Sequence, residues 1–121
     1  MKKWLLGASA GIAGAVMAMS PALAADSFYK GREMIVIVPY SVGGSYGGYT
    51  RLLARHWSKY IPGNPSIRSD HSKRGGGGLR GANFMYNSAP KDGSYVAMLA
   101  DALTVSQMIY PKRAKYDPTK F

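Results

Sequence analysis

The chain's hydrophobic positions change period in a regular order. Residues 33–38 read EMIVIV, an unbroken apolar run dense in Ile and Val, which predicts a strand covered on both faces. Pro39 predicts its end, because proline cannot donate to a ladder. Over residues 49–60 the period becomes helical: Tyr49, Leu52, Leu53, His56 and Tyr60 share one stripe, with Arg51, Arg55, Ser58 and Lys59 largely on the others. The segment IPGNP, residues 61–65, stops that helix with two prolines and a glycine. SIRSD, residues 66–70, is a weaker extended stretch whose apolar pattern Arg68 and Asp70 interrupt. A second helix is predicted over residues 79–88, with Leu79, Ala82 and Tyr86 at near-helical spacing; PKDG at residues 90–93 is a turn. SYVAMLA, residues 94–100, reads as a third strand and residues 104–110 as a short helix, and the final YDPTKF reads as no closing element. Strands alternating with helices predict an α/β fold, a βαβαβ unit with a parallel sheet and right-handed crossovers.

That order places the glycines. Gly43, Gly44, Gly47 and Gly48 follow the first strand, and Gly75 to Gly78 follow the second. In open parallel sheets, ligands sit beyond the carboxyl ends of the strands, where loops lead into helix N-termini. Glycine lets backbone N–H groups approach a ligand, and a helix N-terminus adds unpaired donors and positive dipole, so a carboxylate or phosphate is the natural occupant. The same glycines would also serve tight turns without any ligand. The hydroxyls of Ser41, Ser45 and Tyr46 stand ready to orient an anion, and Arg74 is the charged residue that the sequence sets beside the second run. Nucleotide motifs are missing: the first loop lacks the G-x-G-x-x-G spacing, and neither loop has the G-K-[ST] ending of a P-loop.

Composition adds export. The chain of 121 residues opens on MKK, continues with WLLGASAGIAGAVMAM and reaches SPALA, ending in the Ala22-Leu23-Ala24 pattern of a signal-peptidase site. A retained membrane anchor fits less well, because the stretch is rich in Gly and Ala and no stop-transfer charges follow. Residues 1–24 are thus expected to be a cleaved signal peptide and residues 25–121 a small periplasmic domain. Lys2 and Lys3 leave with the leader, so 14 basic and 6 acidic residues give the remainder a formal charge of +8. The basic residues are scattered, as on a solvated surface, and export argues against nucleic acid as a partner. With no cysteine, neither disulfides nor thiolate ligands contribute. His56 falls on the predicted apolar stripe, and the side chains of adjacent Asp70 and His71 diverge on an extended chain. No triad or local metal set emerges, so no enzymatic activity and no cofactor are expected.

Several blocks carry a resemblance. FYKGR (residues 28–32), PYSVGG (39–44), YIPGNP (60–65), GGLRGANFMYNSAPKDG (77–93) and YDPTKF (116–121) resemble the N-terminal part of the periplasmic substrate-binding proteins of tripartite tricarboxylate transporters, the Bug-type receptors. The resemblance implies a type II binding-protein fold of two lobes, of which residues 25–121 would be part of the first. It implies a monomer that binds a small carboxylate such as a di- or tricarboxylate and presents it to membrane transporter subunits. Loops matching residues 39–46 and 74–78 would line the cleft, with Tyr40, Ser41, Gly43, Gly44, Ser45, Tyr46, Arg74, Gly75, Gly76 and Gly77 as the ligand-binding set. Such receptors usually carry proline at Val42, aspartate at Gly47 and proline at Arg74; the loss of an Asp and gain of an Arg raise the positive potential here. These receptors are also longer, and a lobe standing alone would leave its ligand on an open surface. A truncated product without a ligand, or a basic module attracted to anionic surfaces, are the alternatives. Mass spectrometry of exported material is expected to show a chain beginning at Ala25 or close by, and an intact Met1 on such material would refute the leader assignment.

Overall fold

The computed structural model describes residues 28–121; the expected leader and its cleavage site lie outside the described residues. Strand β1 (Glu33–Ile37) lies between β2 (Ser66–Asp70) and β3 (Tyr95–Ala97) and runs parallel to both. The most apolar run takes the centre of the sheet: Met34, Val36, Ile37 and the following Val38 are all buried. The charged stretch takes an edge, where Arg68 is exposed and pairs with Glu33 across the ladder at 3.1 Å. An exposed pair of this kind contributes ~1 kcal/mol or less. The first crossover runs from β1 to β2 and the second passes from β2 over β1 to β3, so the carboxyl end of β1 lies between the loops that follow its two neighbours, where open parallel sheets bind ligands.

The third strand is shorter than the predicted seven residues. Met98 N–H still donates to the Ile37 carbonyl at 2.9 Å, but Ala100 N–H turns to the Tyr40 hydroxyl at 3.2 Å. The ladder ends because Pro39, buried under helix α2 (Leu79–Asn87), directs the chain out of the sheet.

Helix α1 (Ser45–Trp57) starts four residues earlier than the periodicity predicts, so Gly47 and Gly48 belong to the helix and not to the loop. Its expected apolar stripe is also corrected: Tyr49, Leu52 and Tyr60 are 63%, 58% and 74% exposed, and His56 is exposed as well. The packed face carries Gly47 and Thr50, both buried, with Tyr46, Ala54 and Trp57 half-buried. Small residues let the helix lie close, and Thr50 is satisfied by donating to the Tyr46 carbonyl at 2.8 Å.

Helix α2 packs on β3 and on α3 (Leu103–Ile109). Leu79, Ala82, Leu103, Ala114 and Tyr116 form a core cluster there, with Tyr86 and Leu99 packed against it. The buried Tyr116 hydroxyl donates to the Leu103 carbonyl at 2.7 Å. The chain's end does close: residues 113–116 return onto α2, and a 3₁₀ turn (Pro118–Lys120) follows, capped by Asp117 accepting from Thr119 N–H. The sequence hides this return because it is held by side-chain amides rather than by a hydrophobic period. Among the described residues, no helix is long and apolar enough to cross a membrane.

Two glycines give opposite expectations. A Cβ on Gly81 would stand 2.5 Å from the Cβ of Pro39, which is fully buried, whereas a Cβ on Gly48 meets nothing within 4 Å. Gly81→Ala is expected to destabilise by ~1–3 kcal/mol through overpacking, and Gly48→Ala to stabilise by ~0.5–1 kcal/mol by improving helix propensity. Urea unfolding of the two variants, with m unchanged, measures both.

Candidate anion site

The three loops at the carboxyl edge of the sheet meet at Tyr40. Its ring stacks on Tyr46 in the first turn of α1, with centroids 4.4 Å apart and planes 22° from parallel. Its hydroxyl lies against Gly78 at the start of α2: a Cβ there would come within 2.4 Å of that oxygen. The same oxygen accepts from Ala100 N–H, in the loop after β3. Its carbonyl is bonded to His71 Nδ1 at 3.0 Å, just past β2. A carbonyl only accepts, so Nδ1 carries the proton and Nε2 is left to other partners.

Burial pushes the Tyr40 phenol above its ordinary value near 10, against the lowering effect of the Ala100 N–H. At neutral pH it is therefore protonated. With Ala100 taken as its donor partner, the O–H of Tyr40 is still available to give a hydrogen bond at the junction of the loops.

The first loop delivers backbone donors. Gly44 is the N-cap of α1, no side chain caps the helix, and its first turn holds no acidic residue. Gly48 N–H bonds to the Gly44 carbonyl, and the amides of residues 45–47 precede the first intrahelical bond. Two contacts hold the loop's shape. Ser41 C=O accepts from Gly44 N–H at 3.2 Å, and Arg51 donates to the Val42 carbonyl at 2.7 Å. Gly47 packs so closely beneath the loop that a Cβ would lie 2.4 Å from the Val42 oxygen. The aspartate usual at this position in the Bug-type receptors would require the loop to move.

The second loop depends on glycine conformation. Gly75, Gly76, Gly77 and Gly78 have φ of 116°, 62°, 65° and 95°, a left-handed run that other residues adopt only with strain. Gly76 to Gly78 form a 3₁₀ turn leading into α2, which again has no side-chain cap and no acidic residue in its first turn. The two acidic residues at this edge face their own backbones: Asp70 accepts from Ser72 N–H at 2.7 Å and Asp101 from Ala102 N–H at 2.8 Å. The first of these bonds, ahead of all other causes, holds the Asp70 carboxyl below its usual range.

The predicted residues divide into three groups. Tyr40, Ser41, Gly43 and Gly44 lie on the first loop, Ser45 and Tyr46 on the first turn of α1, and Arg74 to Gly77 on the second loop. Tyr40 joins the groups through Tyr46 and Gly78, while Ser45 points to solvent and Val42 is half exposed. Arg74 is not the one charged residue nearby. Arg51 attaches to the first loop, the Arg80 side chain packs beside Gly75, and the Arg113 guanidinium approaches Gly76. His71 was also missed as a site residue, although its place one residue beyond β2 is the signal that would have found it. Two open concavities lie elsewhere, one of about 570 Å³ beside Tyr86 and Tyr116 and one of about 320 Å³ beside Ile109 and Arg113. Among the described residues, no three His, Cys, Asp or Glu side chains gather as metal ligands would.

Tyr40→Phe removes the acceptor of Ala100 N–H and is expected to cost about 1 kcal/mol in urea unfolding. The sign with pH follows from the raised phenols of Tyr40 and Tyr116. A folded value above the unfolded one contributes stability that is complete below pH ~10 and lost as pH rises through the folded value. Stability should therefore fall in alkali, and Tyr40→Phe should flatten that fall; an unchanged alkaline slope would contradict the assignment.

No family model and no solved structure matches the chain. A curated protein of Cupriavidus necator, described as "UPF0065 protein in gbd 5'region", is 34% identical over 117 residues, an alignment covering 93% of this chain and 34% of that protein. The chain spans about a third of the length of the curated relative it matches. UPF0065 is the Bug, or tripartite tricarboxylate receptor, family, so the similarity supports the resemblance seen in the sequence at that coarse level.

Proposed function

We propose that the chain belongs to the Bug-type extracytoplasmic solute receptors and forms part of the lobe that grips a small carboxylate, such as a di- or tricarboxylate. The observation that carries this reading is the meeting of two glycine loops at Tyr40, each leading into an uncapped helix N-terminus, beside the central strand of a parallel sheet. A carboxylate needs several hydrogen-bond donors around two oxygens. Backbone amides of residue 43, residues 45–47 and residues 75–77 and the Tyr40 O–H supply them, and the helix dipoles favour the negative charge. The likeness to a UPF0065 protein supports the same reading.

The role is binding and delivery without chemical conversion, in the periplasm after export, with membrane transporter subunits as partners of the complete receptor and no nucleic acid. The chain acts as a monomer. Closure of a second lobe over the face would expel water and strengthen every contact made here.

On a face open to water, affinity for succinate or citrate is expected on the order of millimolar. Amide shifts in an NMR titration at fixed ionic strength would report it, centred on residues 43–46 and 75–77. Gly43→Val is the matched probe, because a Cβ there meets nothing within 4 Å and its φ is not left-handed. The fold should survive while every carboxylate binds more weakly. Shifts confined to other faces, or unchanged binding in Gly43→Val, would place the ligand elsewhere. Shifts that vanish steeply with salt for any anion would mark a non-specific basic surface instead.

A further inference from the structure

Thirty-five residues after Gly78, at Arg113, the chain returns to the second glycine run. Asn83 on α2 uses both ends of its side-chain amide on the returning segment: Nδ2 donates to the Arg113 carbonyl at 2.9 Å and Oδ1 accepts from Lys115 N–H at 2.7 Å. Asn87, one turn on, donates to the Lys115 carbonyl at 2.7 Å. Ala114, between these contacts, and Tyr116, just beyond them, are buried in the core, so the returning backbone is held by both packing and hydrogen bonds. The Arg113 guanidinium is thereby carried to the second loop, 3.8 Å from where a Gly76 Cβ would stand. The same loop is flanked by Arg80, whose side chain packs beside Gly75 and whose guanidinium reaches the Arg74 carbonyl at 3.5 Å, and is preceded in the chain by Arg74.

None of the three is neutralised by a carboxylate among the described residues, where the ion pairs are Arg68 with Glu33 and Lys120 with Asp117. Three like charges drawn to one short loop repel one another, so an anion among them relieves a cost already present in the fold. Arginine suits this task because its planar fork can hold a carboxylate through two hydrogen bonds.

We propose that Arg113, with Arg80 and Arg74, forms a cationic rim on the second glycine run that takes a further anionic group of the ligand, so that the site selects acids of higher charge. This rests on the carboxylate reading above and adds to it a specificity residue outside both glycine loops. Backbone amides hold one carboxylate of any acid; the rim is felt only by an acid with another to offer.

The test titrates the full chain with acetate and with citrate at fixed ionic strength, following amide shifts by NMR, for the unaltered protein, Arg113→Gln, Arg113→Lys and Lys112→Gln. Lys112→Gln removes an equal charge from the neighbouring position and reports long-range attraction alone. Arg113→Gln is expected to weaken citrate about fivefold beyond Lys112→Gln while leaving acetate unchanged, as suits a partly exposed charge pair. Arg113→Lys should recover part of the loss. Citrate and acetate weakening together would mean that Arg113 only supports the loop, and equal effects of the two glutamine variants would reduce it to background charge; either overturns the proposal while leaving the carboxylate site standing. No shift with either acid in the unaltered chain would overturn the receptor reading and this proposal with it.

Discussion

The carboxyl edge of this sheet depends on the seating of one side chain. Tyr40 leaves the central strand just after Pro39, stacks on Tyr46, rests its hydroxyl on Gly78 and accepts the Ala100 amide, while its carbonyl holds His71. One residue thus links all three loops. Its partners come from both sides of β1, which is possible only because the strand order places β1 in the middle.

Glycine supports that arrangement by two different physical routes. Gly47 and Gly81 have ordinary backbone angles and are needed because another group occupies the place of a Cβ: the Val42 carbonyl in one case, the Pro39 ring in the other. Gly75 to Gly77 have room around them but adopt left-handed angles closed to most residues. Gly78 is constrained on both counts, by its angle and by the Tyr40 hydroxyl. The first loop is therefore shaped by packing and the second by conformation, although both look alike as runs of glycine.

Charge follows the same edge. The arginines that approach the loops bond to backbone carbonyls or to nothing acidic, while the nearby aspartates are turned to their own amides. The result is an edge with surplus donors and positive potential.

The sequence by itself determined the α/β order, the placement of β1 and β2, the termination at the IPGNP segment and the position of both glycine runs. Each rests on local physics: β-branched apolar runs, proline without a donor, glycine as punctuation. Only the tertiary structure decided which face of α1 is buried, because that face consists of Gly47, Thr50 and Ala54, whose small size suits close approach but carries no hydrophobic period. It also decided where the third strand ends, since the Tyr40 hydroxyl captures an amide that strand propensity alone would leave in the ladder. The site divides along the same line. Its glycines and hydroxyls were legible because they are contiguous, whereas His71, Arg51, Arg80 and Arg113 reach it by contacts that sequence spacing does not encode. Arg113 is the furthest removed, brought there by an asparagine on α2 that holds the returning chain as a neighbouring strand would.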